Sequence, residues 1–110
     1  MKVEQKGHTT IIKDTQGNIQ NFLEKLTQQH ATFKTQNLIL DVTHDKNVEI
    51  RDIKLFSNLS KAHCKGKKSF VLVASDIDFN AIPTQLTVVP SIQEAHDIIE
   101  MEEIERDLGF

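Results

Sequence analysis

Residues 37–60 read Asn37-Leu38-Ile39-Leu40-Asp41-Val42-Thr43-His44-Asp45-Lys46-Asn47-Val48-Glu49-Ile50-Arg51-Asp52-Ile53-Lys54-Leu55-Phe56-Ser57-Asn58-Leu59-Ser60, and their pattern decides the fold. The run from Leu38 to Val42 is apolar at successive positions, broken only by Asp41, where a strand with one wet face would alternate. Such a strand is covered on both sides and lies inside a sheet. A polar loop follows, then a helical pattern over 50–64, with one stripe in Ile53, Phe56, Ser57 and Ser60 and a second in Leu55, Leu59 and Ala62. Two neighbouring stripes make a broader apolar arc than a helix lying alone on a sheet needs, so part of it is expected to serve as an interface. Strand, loop and helix form half of a βαβ unit, whose strand ends are where open α/β folds place function. The loop 43–52 is therefore the first candidate site.

Upstream, 1–5 and 9–14 read as an antiparallel strand pair turning at Lys6-Gly7, the second strand rich in Thr and Ile. Asn18 is positioned to cap a helix whose stripe is Ile19, Phe22, Leu23 and Leu26, expected to end at about residue 29 or 30. Downstream, Lys65-Gly66-Lys67-Lys68 stops the second helix, with cations at the negative end of its dipole. Residues 69–74 form another fully apolar strand, and 75–83 a polar crossover or single helical turn. Residues 85–89 form a short edge strand closed by Pro90. Ser91 and Glu94 are spaced as a capping box opening a last helix, with Ile92, Ala95 and Ile99 toward the core, Ile98 beside them, and Gly109 as its stop. This order predicts an α/β fold: a mixed sheet of about five strands, three main helices and one short helix or turn. The 110 residues fit one domain spanning 1–110, with 101–110 as a helical extension.

The chain is 38% hydrophobic and 26% charged, with four Gly and two Pro, a composition that excludes extended disorder. The N-terminal residues lack the apolar core of a signal peptide, and no apolar run nears the ~18 residues of a membrane span, so the expected location is the cytoplasm. Cys64 is the only cysteine, which leaves no intrachain disulfide and no thiolate zinc cluster; on its helix it reads as a half-buried residue. Net charge is −3, but residues 1–70 carry 12 Lys and Arg against 7 acids, and residues 71–110 carry 1 against 9. The two parts are either faces of one domain that attract each other or separate binding surfaces. Glu100, Glu102, Glu103, Glu105 and Asp107 crowd the end of the last helix, where the dipole disfavours anions. A basic region of the chain or a basic partner must compensate.

The element order, the strand Asn37-Leu38-Ile39-Leu40-Asp41-Val42, the strand 69–74, and Leu86-Thr87-Val88-Val89-Pro90-Ser91-Ile92-Gln93-Glu94-Ala95 together resemble the STAS family, which includes anti-sigma-factor antagonists and the cytoplasmic domains of sulphate transporters. The resemblance covers nearly the whole chain at the level of architecture. It implies a bacterial regulatory module that binds proteins. The family carries an Asp-Ser-Ser/Thr-Gly turn before its second helix, whose hydroxyl a partner kinase phosphorylates. Here Glu49-Ile50-Arg51-Asp52 occupies that turn: Glu49 stands for the aspartate, Ile50 replaces the phosphoacceptor, and the second hydroxyl and the Gly are missing. The change is either a permanently charged binding surface or a plain helix cap. The ending Met101-Glu102-Glu103-Ile104-Glu105-Arg106-Asp107-Leu108-Gly109-Phe110 is similar to that of small bacterial proteins that carry a ribonuclease Z label. The resemblance implies at most an accessory role in RNA processing, because His8, His30, His44, His63 and His96 are scattered and build no two-metal cluster.

Asp41, His44, Asp45, Glu49 and Asp52 gather where oxygen ligands could hold Mg²⁺ or a His-Asp pair could move a proton, or they are solvated loop charge. Nucleophile elbows and Gly-rich phosphate loops are absent. With no Trp, no Tyr and a net negative charge, direct nucleic-acid binding is not expected. The expectation is a non-enzymatic module without cofactor or metal, binding a protein through Thr43, His44, Glu49, Ile50, Arg51 and Asp52. A second contact strip comprises Met101, Ile104, Leu108 and Phe110, which either meets another subunit or partner or folds back over the sheet; a homodimer stays open.

Overall fold

The computed structural model describes residues 1–109. It is an α/β structure built on one five-stranded mixed sheet, with strands β1 (Lys2–Lys6), β2 (Thr9–Lys13), β3 (Asn37–Asp41), β4 (Phe70–Val73) and β5 (Thr87–Val89) in that spatial order. β1 pairs antiparallel with β2 through a turn whose Gly7 has φ +59°; all later pairings are parallel. Parallel neighbours require crossovers, which helices supply. α1 (Ile19–Phe33) joins β2 to β3, α2 (Ile50–Lys54) and α3 (Ser57–Lys65) join β3 to β4, and a 3₁₀ turn (Phe79–Ala81) joins β4 to β5. α4 (Ile92–Asp107) follows β5.

Alternation along the strands sorts the core into two layers. Ile12, Leu38, Leu40, Phe70 and Leu72 meet Phe22 and Leu26 of α1, Ile53 of α2, and Phe56 and Leu59 at and after the joint. Ile11, Ile39, Val71, Val73 and Val89 meet Ala95 and Ile99 of α4 on the other face. β3 is buried at all five positions, which explains its unbroken apolar run.

Three expectations need correction. α1 continues to Phe33, a turn past the expected end, because nothing after His30 interrupts it and Phe33 packs against the core. The helix expected over 50–64 is two helices: Leu55 N–H donates to Asp52 O and Phe56 N–H to Ile53 O, tightening the backbone to 3₁₀ spacing before the α pattern resumes with Ser60 N–H to Phe56 O. Of the capping box expected at α4, the serine half forms: Ser91 Oγ accepts from Glu94 N–H at 3.2 Å.

α4 runs back from the carboxyl ends of the strands to their amino ends. Sixteen residues span about 24 Å, against about 17 Å for a five-residue strand, so its last turns overrun the sheet. They are tied down there. Arg106 Nη1 donates to Ser69 Oγ at 3.2 Å and Nη2 to Asn37 Oδ1 at 3.3 Å, Ser69 Oγ donates to Glu102 Oε1, and Ser69 N–H donates to the same Asn37 Oδ1 at 2.9 Å. Asn37 and Ser69 are buried and each immediately precedes or opens a central strand. Arg106→Ala should lower the unfolding free energy by about 1–2 kcal/mol, the worth of charge-assisted bonds at a partly wet site. A urea midpoint equal to that of the wild type would show that the cluster adds nothing.

Candidate functional site

The loop between β3 and α2 stands at the carboxyl edge of the sheet. Asp41, buried, turns Oδ1 onto the next residues, accepting from Thr43 N–H at 2.9 Å and from Thr43 Oγ1 at 2.6 Å. Asp45 Oδ1 accepts from Asn47 N–H at 2.9 Å. At the start of α2, Asp52 Oδ2 accepts from Glu49 N–H at 3.0 Å, a capping-box contact. Arg51 Nε lies 2.8 Å from Glu49 Oε2 in an exposed pair, an arrangement of little stabilising worth. His44 is exposed beside Gly17, whose φ of +70° makes the neighbouring turn. Ile50 is half-buried.

The acids expected to cluster are therefore engaged by their own backbone, and they do not converge. Among the described residues no group of three or more His, Cys, Asp or Glu side chains is placed to hold a metal ion. Thr43, His44, Glu49, Ile50, Arg51 and Asp52 all lie on the β3–α2 connection and the start of α2. Beside Asp41 lies an acid that the sequence pattern counted only as the end of the second strand. Asp14, just after β2, is buried, with Oδ1 accepting from Gln16 N–H at 3.0 Å and Oδ2 lacking a protein partner.

The second group of candidate residues sits elsewhere. Met101 and Ile104 on α4 and Leu108 at its C-cap are 61%, 54% and 67% exposed, beside the amino ends of the strands, so a strand length separates them from the 43–52 loop. Phe110 lies outside the described residues. The described residues of the strip do not fold back over the sheet: Glu102 and Arg106 turn inward onto the sheet edge, while Met101, Ile104 and Leu108 turn away from it. The charge asymmetry is also partly internal. Lys67 and Lys68 share a shallow depression with Glu102, Glu105 and Arg106, and His8 Nδ1 lies 3.8 Å from Glu103 Oε2.

The second apolar stripe of the 50–64 segment does not enter the core as a whole. Leu55, Leu59 and Ala62 line an open groove of about 390 Å³ between α1 and α3, closed on the other side by Leu23, Thr27 and His30. A larger open groove, about 610 Å³, runs along Ser57, Ser60, Lys61 and Cys64 toward Gln85, where the β4–β5 connection has no full helix to cover it. Cys64 is exposed rather than half-buried, and partial desolvation pushes its thiol up, the opposite of an activated nucleophile.

One polar arrangement was not anticipated from the sequence. His63, on α3, is enclosed among Gln36, Phe70 and His30. Its Nε2 lies 2.8 Å from Gln36 O, which can only accept, so Nε2 carries the proton. Its Nδ1 then accepts from His30 Nε2–H at 2.9 Å, linking α3 to α1. Burial holds the His63 imidazolium pKa below its ordinary value, outweighing the favourable Gln36 carbonyl, and His30 and Lys68 push the same way. Among the described residues no helix is long and apolar enough to cross a membrane. No family model matches the chain, and no curated protein matches it.

Proposed function

We propose that the protein is a non-enzymatic, STAS-like interaction module of the cytoplasm that engages a protein partner through the surface of Thr43, His44, Glu49, Ile50, Arg51 and Asp52, without phosphoserine control. The observation that carries this reading is the start of α2. At the position the resemblance gives to the phosphoacceptor stands Ile50, and the flanking carboxylates are in use, Asp52 on the Glu49 N–H and Glu49 beside Arg51. A phosphate added there would meet fixed negative charge rather than free amides. What the loop offers instead is an exposed, mixed-charge patch with a half-buried isoleucine at its centre, held by local hydrogen bonds that lower the ordering cost of binding.

The test pairs the wild type with Ile50→Asp, Arg51→Glu as baits in the source cytoplasm. A protein retained by the wild type and lost by the folded double variant is the expected result; identical captures would remove the 43–52 surface from consideration. Control by phosphorylation is tested separately with cytoplasmic kinase fractions. Stoichiometric phosphate on Thr43 or Ser57 would sink the unswitched reading, and Ser60 is buried against modification.

A further inference from the structure

Viewed down α4, the core residues Ala95 and Ile99 and the inward-turned Glu102 and Arg106 occupy one side, and Met101, Ile104 and Leu108 fall on the side directly opposite. These three follow the i, i+3, i+7 spacing of a contact ridge about 10 Å long. The ridge is bordered by Glu105 on one flank and by Glu100 and Asp107 on the other, all exposed. The only Lys or Arg of the helix, Arg106, is committed to Ser69 and Asn37, and Lys67 and Lys68 share a depression with Glu105 alone of the three, so Glu100 and Asp107 have no cation of α4 or of that depression to offset them. They also stand in the half of the helix where its dipole disfavours them.

We propose that this outer face of α4 is a docking ridge for a helix of another protein that carries an apolar stripe flanked by Lys or Arg. The apolar ridge calls for an apolar stripe of the same spacing, and the acidic borders call for cations beside it. Neither the α4 ridge nor the strand pair of a second copy meets both requirements. Two α4 ridges face to face would set Glu100, Glu105 and Asp107 against their counterparts. The lysine-bearing face of β1 and β2, with Lys2, Lys6 and Lys13, supplies charge, but its Ile11 is buried beneath them and offers no stripe. The ridge is remote from the 43–52 surface and stands or falls independently of it.

The experiment uses the full chain and an 18-residue helical peptide of Leu and Lys in amphipathic order, with a Leu/Glu peptide of the same pattern as control. Binding is followed by the backbone amide resonances, and self-association by sedimentation. Two triple variants are compared: Met101→Ser, Ile104→Ser, Leu108→Ser, and Glu100→Gln, Glu105→Gln, Asp107→Asn. All six positions are exposed, so both should stay folded. The expected result is binding of the Leu/Lys peptide alone, with shifts centred on 101–108 and at least tenfold weaker binding by either variant. Absence of binding, equal binding by the variants, shifts centred elsewhere, or a self-associated wild type that either variant dissociates would overturn the proposal.

Discussion

Phe56→Ala should lower the unfolding free energy by about 3–5 kcal/mol, the range for emptying a buried aromatic site. The side chain is fully buried in the layer between the sheet and its three-helix face, at the joint of α2 and α3. It also shapes that joint. The 3₁₀ spacing at Leu55 and Phe56 turns Phe56 and Ile53 inward together and leaves Leu55 50% exposed. Leu55→Ala therefore serves as the comparison, with an expected loss under about 1 kcal/mol because half of the side chain already meets water. Folded domains keep only about 5–15 kcal/mol in total, so the first variant should melt far earlier than the second. Equal urea midpoints for Phe56→Ala and Leu55→Ala would mean that the joint does not organise the core.

The same joint shows where sequence reasoning stops. β3 was legible because burial on both faces leaves a one-dimensional mark, five residues without alternation, and α1 because Asn18 and the Ile19, Phe22, Leu26 spacing are local. Between 50 and 65 there is no Gly or Pro to announce a break. The break shows only in the 3₁₀ bonds of Leu55 and Phe56 and has no local signature in the sequence. The amino-edge cluster is further out of reach, since Asn37, Ser69 and Arg106 lie on three separate segments and meet only once the sheet has formed. The candidate surface at 43–52 was legible as a place, the carboxyl end of the central strand. Its chemistry was not, because whether its acids converge on an ion or satisfy nearby amides depends on turn geometry. His63 did leave a signal: it extends the stripe of Phe56 and Ser60 by one more turn, which marks an inward-facing histidine.

That histidine gives the second large effect. Its imidazolium is disfavoured in the folded chain relative to the ordinary value of 6.5, so the unfolded chain binds the proton more readily and stability must fall as protons are added. The sign follows directly. The contribution of neutral His63 is fully present above about pH 6.5 and is lost as the pH drops below that value toward the lower folded-state pKa. The slope for one proton is at most about 1.4 kcal/mol per pH unit. Burial accounts for the direction; of the groups facing the ring, Gln36 O, which accepts from Nε2, opposes it, and His30 from α1 and Lys68 from the loop after α3 add to it. His63→Leu should cost about 2–4 kcal/mol at neutral pH by leaving the His30 N–H and the Gln36 carbonyl without partners. His63→Gln can both donate and accept, so it should recover part of that loss without the titration. Urea midpoints measured from about pH 5 to pH 8 should diverge, the wild type falling on the acid side relative to His63→Gln. Parallel curves would show that His63 takes up its proton equally well folded and unfolded, and the α1–α3 bond would then carry no pH dependence.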